Sequence, residues 1–246
     1  MSGAGVPVPP APAMGAGRQL GRVLAHLWRC RVLGSSFVPA GGPVVLAANH
    51  TGWLDGPLLF GLSPRPVHVL AKDALFTGPA DTLMRAVGQV PLAYEGPDRA
   101  ALHTAVALLR DERAVGVFPE AHRGRGDFAR FRDGVAYLVA QTGAPVVPVA
   151  ILGTRAPGSG VTSTPAPGAR IDVLFGRPFT PLPPADDPLD RAELSRLGAS
   201  IRAVLVAHVE RALAFTGRQL PTDDPYADRE AARLAAAVGD EGVSHV

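Results

Sequence analysis

Cysteine is nearly absent from this chain of 246 residues, in which Cys30 is the single thiol. One cysteine excludes an internal disulfide framework and any thiolate-rich metal site. Cys30 has no activating partner nearby in the sequence, and we interpret it as a small apolar residue. The histidines outside the motifs described below lack metal-ligand spacing, so we expect no metal. A reducing, cytoplasmic setting is the simplest fit to this composition.

Long apolar runs are also missing, since no window of the sequence approaches the roughly 20 apolar residues of a membrane-spanning helix. Residues 2–17 lack the basic start and apolar core of a signal peptide. They are rich in Gly, Ala and Pro, and we predict a disordered N-terminal tail over residues 1–17. Any contact with a membrane is therefore expected to be peripheral.

Neither sign of charge dominates the chain. The 24 basic residues and 22 acidic residues leave a formal charge of +2, a balance that argues against a nucleic-acid-binding protein. Lys72 is the single lysine, so 23 of the 24 basic residues are arginine. A hydrophobic content of 47% is sufficient for a full core. We predict one folded domain over residues 18–215 and a loosely ordered tail over residues 216–246.

Short apolar runs alternate with longer helical patterns along the chain. Predicted strands cover residues 43–48, 67–70, 89–93, 114–118, 145–152 and 171–175. Predicted helices after the first strand cover residues 54–62, 81–87, 99–110, 134–141 and 189–215. This order predicts an α/β layered fold, in which a mostly parallel central sheet is flanked by helices and sites gather at the carboxyl ends of strands.

A histidine stands where the first predicted strand ends, and a carboxylate follows it five residues later. These residues are His50 and Asp55, with Gly52 between them. A loop opened by Gly52 can fold the Asp55 carboxylate back toward the ring, which would make His50 a carboxylate-oriented general base. The alternative is a structural histidine at the strand end and an Asp55 that caps the next helix.

A second polar cluster follows the strand at residues 114–118. Within seven residues it contains Glu120, His122, Arg123 and Arg125 together with two glycines. Arginine binds phosphate and carboxylate groups through paired hydrogen bonds, so this loop is a candidate anion site. The alternative is a solvated basic loop without a ligand.

Residues 18–33 place apolar side chains at helical spacing with four arginines and Trp28 among them. A basic helix with an interfacial tryptophan suits the surface of an anionic bilayer, but an N-terminal helix that packs on its own domain has the same pattern. Residues 156–169 are dense in Gly, Pro, Ser and Thr, and we predict an exposed loop there, over the mouth of the cleft.

Three sequence blocks resemble those of the glycerolipid acyltransferase family, typified by 1-acyl-glycerol-3-phosphate acyltransferase. Residues 49–55 (NHTGWLD) match its Asn-His-x4-Asp block. Residues 118–123 (FPEAHR) are similar to its Phe-Pro-Glu-Gly-Thr-Arg block, with Ala121 and His122 in place of the glycine and threonine. Residues 146–154 (VVPVAILGT) resemble its proline-containing strand followed by Gly-Thr. The resemblance covers about residues 20–180, and the order of the blocks makes it specific.

The resemblance implies an O-acyltransferase of phospholipid biosynthesis with the fold of that family. His50, oriented by Asp55, would act as general base on a hydroxyl of a lysophospholipid or related lipid acceptor. The acyl donor would be a thioester of coenzyme A or of acyl carrier protein, with no further cofactor. The protein would work as a peripheral membrane protein in the cytoplasm, at the inner face of the cell membrane.

The resemblance also implies a set of substrate contacts. Arg123 is expected to bind the anionic group of the acceptor, with Glu120 positioning it. Lys72 occupies the position of a lysine that family members often carry between the first two blocks. The expected substrate-binding residues are Asn49, Lys72, Arg99, Glu120, His122 and Arg123. Leu58, Leu59 and Leu62 are expected by default to pack in the core, and an apolar groove for the acyl chain is the alternative for them.

This chain departs from the family in the block at residues 88–95 (GQVPLAYE), which lacks the usual acid–arginine pair. Arg99 is expected to reach inward instead, and Tyr94 and Glu95 to alter the acceptor pocket. A lipid alcohol other than lysophosphatidate is therefore an alternative acceptor. Two other classes stay open: a hydrolase, although the chain lacks a Gly-x-Ser-x-Gly elbow, and a catalytically silent lipid-binding protein of the same fold.

Overall fold

The computed structural model describes residues 11–93, 98–181 and 189–224. The strands are β1 Arg29–Leu33, β2 Val44–Ala48, β3 Val67–Lys72, β4 Val90–Leu92, β5 Ala114–Val117, β6 Val146–Leu152 and β7 Arg170–Phe175. The helices are α1 Ala11–His26, α2 Asp55–Leu62, α3 Gly78–Ala86, α4 Arg99–Arg110, α5 Gly134–Thr142 and α6 Arg191–Thr216. Apart from α1 and β1, each element matches a predicted one to within a few residues.

The strands form one sheet in the order β1-β7-β6-β2-β5-β3-β4. Every neighbouring pair is parallel except β6 and β7, which are antiparallel. The sheet is mostly parallel and helices flank it, so the predicted α/β fold is confirmed. Because β2, β3, β5 and β6 run the same way, the loops that follow them meet at one edge of the sheet.

The sheet is buried on both faces, as the all-apolar sequence of β2 requires. All five residues of β2 are fully buried, and alternate side chains enter different cores. Val45 and Ala47 join the core formed with α4, α5 and α6. Val44 and Leu46 join the core formed with α1 and α2. This two-sided burial fixes β2, and with it the start of the loop that carries His50.

The N-terminal predictions need two corrections. Helix α1 begins at Ala11, and Met14 in its first turns is only 2% exposed, so the prediction of a disordered tail was wrong for residues 11–17. The predicted helix over residues 18–33 ends at His26, after which β1 pairs with β7. Short apolar runs such as Cys30, Val32 and Leu33 fit a strand as well as a helix, and pairing with β7 decides between them.

Helix α1 packs on its own domain through a close approach of glycines. A methyl group added to Gly21 would lie 2.8 Å from the Cα of Gly61 in α2. The Arg18 guanidinium also donates to the Ser63 carbonyl at 2.6 Å. Packing is therefore the role that the structure shows for this helix. Val23 on this helix and Leu27 just after it nevertheless remain exposed.

The C-terminal predictions also change. Helix α6 ends at Thr216 and is started by a capping box between Asp190 and Glu193. Residues 217–224 then fold back onto the domain, so the prediction of a loosely ordered tail was wrong for them. Residues 94–97, which include Tyr94 and Glu95, and residues 182–188 and 225–246 lie outside the described residues.

Candidate functional site

The end of β2 is tied to β6 by the side chain of Asn49. Its Nδ2 donates to the Ile151 carbonyl at 3.1 Å, and its Oδ1 accepts the Ile151 N–H at 2.7 Å. The amide thus continues the β2–β6 pairing by one residue, just before the chain turns away. Because Asn49 is fully buried, the prediction that it contacts substrate was wrong. It positions the residue that follows, His50.

The carboxylate of Asp55 folds back onto His50, and their Nδ1 and Oδ2 atoms are 2.9 Å apart. The same Oδ2 accepts the backbone N–H groups of Thr51 at 2.7 Å and Gly52 at 2.9 Å. The other oxygen, Oδ1, accepts the Thr154 hydroxyl at 2.5 Å. Asp55 is fully buried, and its side chain caps no amide of α2. The geometry therefore favours an oriented histidine over the capping alternative.

This arrangement selects one tautomer of His50. A carboxylate only accepts hydrogen bonds, so Nδ1 carries the proton and Nε2 keeps its lone pair. The ring stacks on Phe118 with centroids 4.3 Å apart and an interplanar angle of 25°. Its side chain is 13% exposed. A ring held in this way can take a proton at Nε2 while Asp55 stabilises the resulting positive charge.

Glu120 joins the His50 loop to the second polar loop. Its Oε1 accepts the N–H of His50 at 3.0 Å, and its Oε2 accepts the N–H of Gly126 at 3.2 Å. In addition, the N–H of Gly124 donates to the His50 carbonyl at 2.9 Å. The prediction that Glu120 positions Arg123 was wrong, because its carboxyl binds backbone amides instead. Arg123 donates to the Val161 carbonyl at 3.2 Å.

The backbone of the second loop is tightly fitted. Gly126 has φ +78°, and a methyl group there would lie 2.4 Å from Thr51 Cγ2. Only glycine meets both constraints. Ala121 has φ +61°, a left-handed conformation that costs a residue with a side chain roughly 1–2 kcal/mol. Ala121, which stands in place of the glycine of the resembled block, is thus strained by its methyl group.

A cavity of about 460 Å³ opens beside His50. Its lining is mostly apolar and comes from α1, α2, β3, α3 and the loops at the sheet edge. The larger apolar residues in it are Trp53, Pro57, Phe60, Val69, Leu70, Leu75, Leu83, Met84, Val87 and Phe118. Leu58 and Leu59 face the core, and Leu62 is outside this lining. Core packing, the default expectation for Leu58 and Leu59, is confirmed, and the alternative of a groove lined by these leucines was wrong.

Two cationic side chains and a histidine are part of the cavity lining. Lys72, His122 and Arg123 all line it, as their predicted roles require. Burial and the positive charges of Arg132, Arg130 and Lys72 lower the pKa of His122 from 6.5. Positive potential at this point suits an anionic ligand group.

Arg125 and Arg99, which also had predicted binding roles, are not among the described residues that line the cavity. Arg125 is ion-paired with Asp127 at 2.7 Å and is 44% exposed. Arg99, the first residue of α4, is exposed and is not among the described residues that line the cavity. The prediction that Arg99 reaches inward was therefore wrong. Helix α4 buries the face that carries Ala101 and Ala105, and Arg99 lies on a different face of the helix.

The loop over residues 156–169 is hydrogen-bonded to two residues of the cavity lining, and it contains no helix or strand. Its carbonyl at Val161 holds Arg123, and the Thr164 hydroxyl accepts the Trp53 indole N–H at 3.1 Å. Most of its residues are exposed or half-buried, so the predicted exposed loop is confirmed. Within the described part of the chain, no helix is long and apolar enough to cross a bilayer.

Two residues near the site were missed by sequence reasoning. Thr154 supplies the hydroxyl that orients Asp55, and its place in the Gly-Thr end of the third block was the available signal. Arg155, directly after it, is a buried arginine bonded to the second loop. Nothing in its sequence context distinguishes it from the many surface arginines of this chain.

The fold and the site together define an α/β protein with a carboxylate-bound histidine beside an apolar, partly cationic cavity. A family model described as Acyltransferase matches residues 29–152, half of the chain. The chain belongs to this Acyltransferase family. The match contains His50, Asp55, Glu120 and Arg123, and it ends before Thr154.

Curated relatives carry names of one kind. The chain is 32% identical over 126 residues to a 1-acyl-sn-glycerol-3-phosphate acyltransferase of Bacillus subtilis. This alignment covers 50% of this chain and 62% of that protein. The chain is 30% identical over 176 residues to a 1-acyl-sn-glycerol-3-phosphate acyltransferase of Chlamydomonas reinhardtii. This alignment covers 68% of this chain and 52% of that protein. The chain thus spans about half to three-fifths of the length of these relatives.

A solved structure shares the fold. The 1-acyl-sn-glycerophosphate (LPA) acyltransferase PlsC from Thermotoga maritima aligns with a TM-score of 0.62 and 24% identity, over 82% of this chain and 80% of that chain.

Glu120 should make the protein less stable as pH rises. Burial raises the pKa of its carboxyl from 4.5 to about 8, so the folded protein holds a proton there that the unfolded chain has already released. The stability from this proton is fully present below pH 4.5 and is lost as pH rises through about 8. Between these values, such a group lowers the free energy of unfolding by at most about 1.4 kcal/mol per pH unit.

Urea denaturation of the wild type and Glu120→Gln between about pH 6.5 and 9 measures this effect. The free energy of unfolding should fall more steeply with pH in the wild type, because glutamine has no proton to lose. Other titrating groups are common to both proteins and cancel in the difference. Equal slopes in the two proteins would show that Glu120 is already ionised at neutral pH.

Proposed function

We propose that this protein transfers a fatty acyl group from an acyl thioester to a hydroxyl of a lysophospholipid, with lysophosphatidate as the first candidate. The observation that carries the proposal is the His50 ring, bound to Asp55 at 2.9 Å, at the wall of an apolar cavity that also contains Lys72 and Arg123. Membership of the Acyltransferase family and the names of the relatives support it.

The proposed reaction needs one base and no covalent enzyme intermediate. Nε2 of His50 takes the proton of the acceptor hydroxyl as its oxygen attacks the thioester carbonyl. The new C–O bond forms, the C–S bond breaks, and the proton on His50 passes to the departing thiolate. Asp55 stabilises the imidazolium between these two steps. Coenzyme A or acyl carrier protein would supply the thiol, as a co-substrate, and no other cofactor takes part.

The cavity suits both parts of the proposed substrates. Its apolar wall from α2, β3 and α3 matches an acyl chain, for which burial contributes about 0.8 kcal/mol per methylene. Lys72 and Arg123 line the same cavity and match a phosphate on the acceptor. The half-buried His122 lies beside them. The positive charge of Lys72 and Arg123 favours a phosphorylated acceptor over a neutral lipid alcohol.

Replacement of His50 should remove acyl transfer. With labelled acyl-CoA and acyl carrier protein thioesters offered to lysophosphatidate, His50→Ala should lower kcat/KM by about 10²- to 10⁴-fold or more, and Asp55→Asn by a similar order. Arg123→Ala should raise KM for lysophosphatidate more than KM for a monoacylglycerol. His103→Ala is the matched control, since His103 is exposed on α4 away from the cavity.

Wild-type turnover that persists in His50→Ala would contradict the mechanism. A wild-type protein that binds the lipid but transfers no acyl group from either thioester would favour the silent lipid-binding alternative. Release of free fatty acid without an acylated acceptor would favour hydrolysis.

We further propose that the protein works as a peripheral protein at the inner face of the cell membrane, since both proposed substrates are amphiphiles. Five exposed large apolar side chains lie on segments that line the cavity or adjoin its lining: Val23, Leu27, Trp53, Leu75 and Leu83. Arg22, half-buried on α1, adds positive charge, which anionic lipids attract.

Sedimentation with vesicles that contain anionic lipid tests this docking. Wild-type protein should sediment with the vesicles, and the double variant Leu27→Ser with Leu83→Ser should bind several-fold more weakly because it loses apolar surface. Phe215→Ser is the matched control, as Phe215 is 66% exposed but lies on α6, which covers the opposite face of the sheet. Equal losses in both variants, or no vesicle binding by the wild type, would contradict the proposal.

A further inference from the structure

A buried arginine lies just outside the part of the chain that matches the family. Arg155 follows β6, three residues beyond the matched segment, which ends at residue 152. It is only 2% exposed. A buried guanidinium is costly unless it is paired and hydrogen-bonded. Its partners therefore show which parts of the structure depend on it.

Arg155 connects the second polar loop to the C-terminal strap, the name we give to residues 217–224. Its Nη2 donates to the Gly124 carbonyl at 2.9 Å and to the Asp223 carbonyl at 3.0 Å. Its Nη1 is 3.2 Å from Asp223 Oδ2. One planar group thus binds the loop and the strap at the same time, in a geometry that lysine cannot reproduce.

The loop bound in this way is the one that faces the cavity. Gly124 offers its carbonyl to Arg155 and its N–H to the His50 carbonyl. A single residue therefore connects the buried arginine with the catalytic segment. His122 and Arg123, directly before Gly124, line the cavity.

The strap makes further contacts with the same region. Asp224 Oδ2 lies 3.5 Å from Arg130 Nε. Leu220 packs near Gly126, where an added methyl group would lie 3.5 Å from its Cδ2 atom. At its other end, Arg218 is anchored to Asp172 and to the Arg170 carbonyl. The strap is thus fixed to β7 at one end and to the cavity loop at the other.

We propose that Arg155 and Asp223 are positioning residues, through which the C-terminal strap holds residues 121–126 in the conformation that binds the acceptor. This inference rests on the proposed acyl transfer for its kinetic part. The apolar wall proposed for the acyl chain comes from α2, β3 and α3, and no strap residue is among the described residues that line the cavity, so donor binding should not depend on the strap. Loss of the Arg155–Asp223 pair should therefore weaken acceptor binding selectively.

Kinetics of the full chain separate positioning from a general loss of structure. Asp223→Asn and Arg155→Lys should each raise KM for lysophosphatidate about tenfold, with KM for the acyl thioester changed less than twofold. Asp190→Ala is the control, because Asp190 caps the N-terminus of α6 by accepting the Glu193 N–H at 2.7 Å and belongs to neither the loop nor the strap. It should lower the unfolding temperature and leave both KM values unchanged.

Amide hydrogen exchange provides a readout that does not need activity. In Asp223→Asn, peptides from residues 120–127 should exchange faster, whereas peptides from β2 and β6 should keep wild-type protection. Uniformly faster exchange, or no change in residues 120–127, would overturn the inference. Selective exchange with an unchanged acceptor KM would overturn it as well. If the wild type transfers no acyl group, only the proposed function is refuted. The exchange result would then still decide whether Arg155 and Asp223 position the loop.

Discussion

The structure of the site depends on the buried carboxylate of Asp55. A buried charge costs several kcal/mol unless its lone pairs are used, and here four donors use them: the His50 ring, two backbone amides and the Thr154 hydroxyl. Charge-assisted hydrogen bonds of this kind contribute about 1.5–3 kcal/mol each. They fix the loop after β2 as well as the ring. The same carboxylate therefore fixes both the turn after β2 and the orientation of His50.

The same constraint brings three strand ends together. Asn49 ties β2 to β6, Thr154 brings the end of β6 to Asp55, and Glu120 brings the loop after β5 to the His50 amide. Parallel strands place these loops at one edge of the sheet, and side chains then lock them to each other. The cavity lies beside this junction, so a group that binds there meets His50 and the cationic loop together.

Sequence reasoning correctly predicted the structural features that depend on local patterns of residues. Apolar periodicity indicated the sheet and helices, and a separation of five residues was enough to pair His50 with Asp55. It failed where contacts join residues far apart in the chain. Asn49 pairs with a residue 102 positions away, His50 with Glu120 at 70 positions, and Arg155 with Asp223 at 68 positions. No local signal reports such contacts, so Asn49 and Glu120 were given substrate roles when their bonds are to backbone groups.

The central claim is that Asp55 holds His50 with the proton on Nδ1, which leaves Nε2 free to act as the base. Nitrogen-15 NMR of the imidazole measures this directly, at a pH where imidazoles are neutral, with the His50 signal assigned by its loss in His50→Gln. The account predicts a protonated Nδ1 and an unprotonated Nε2 in the wild type, and a mixture of tautomers in Asp55→Ala. A proton on Nε2 in the wild type, or a tautomer unchanged in Asp55→Ala, would contradict it.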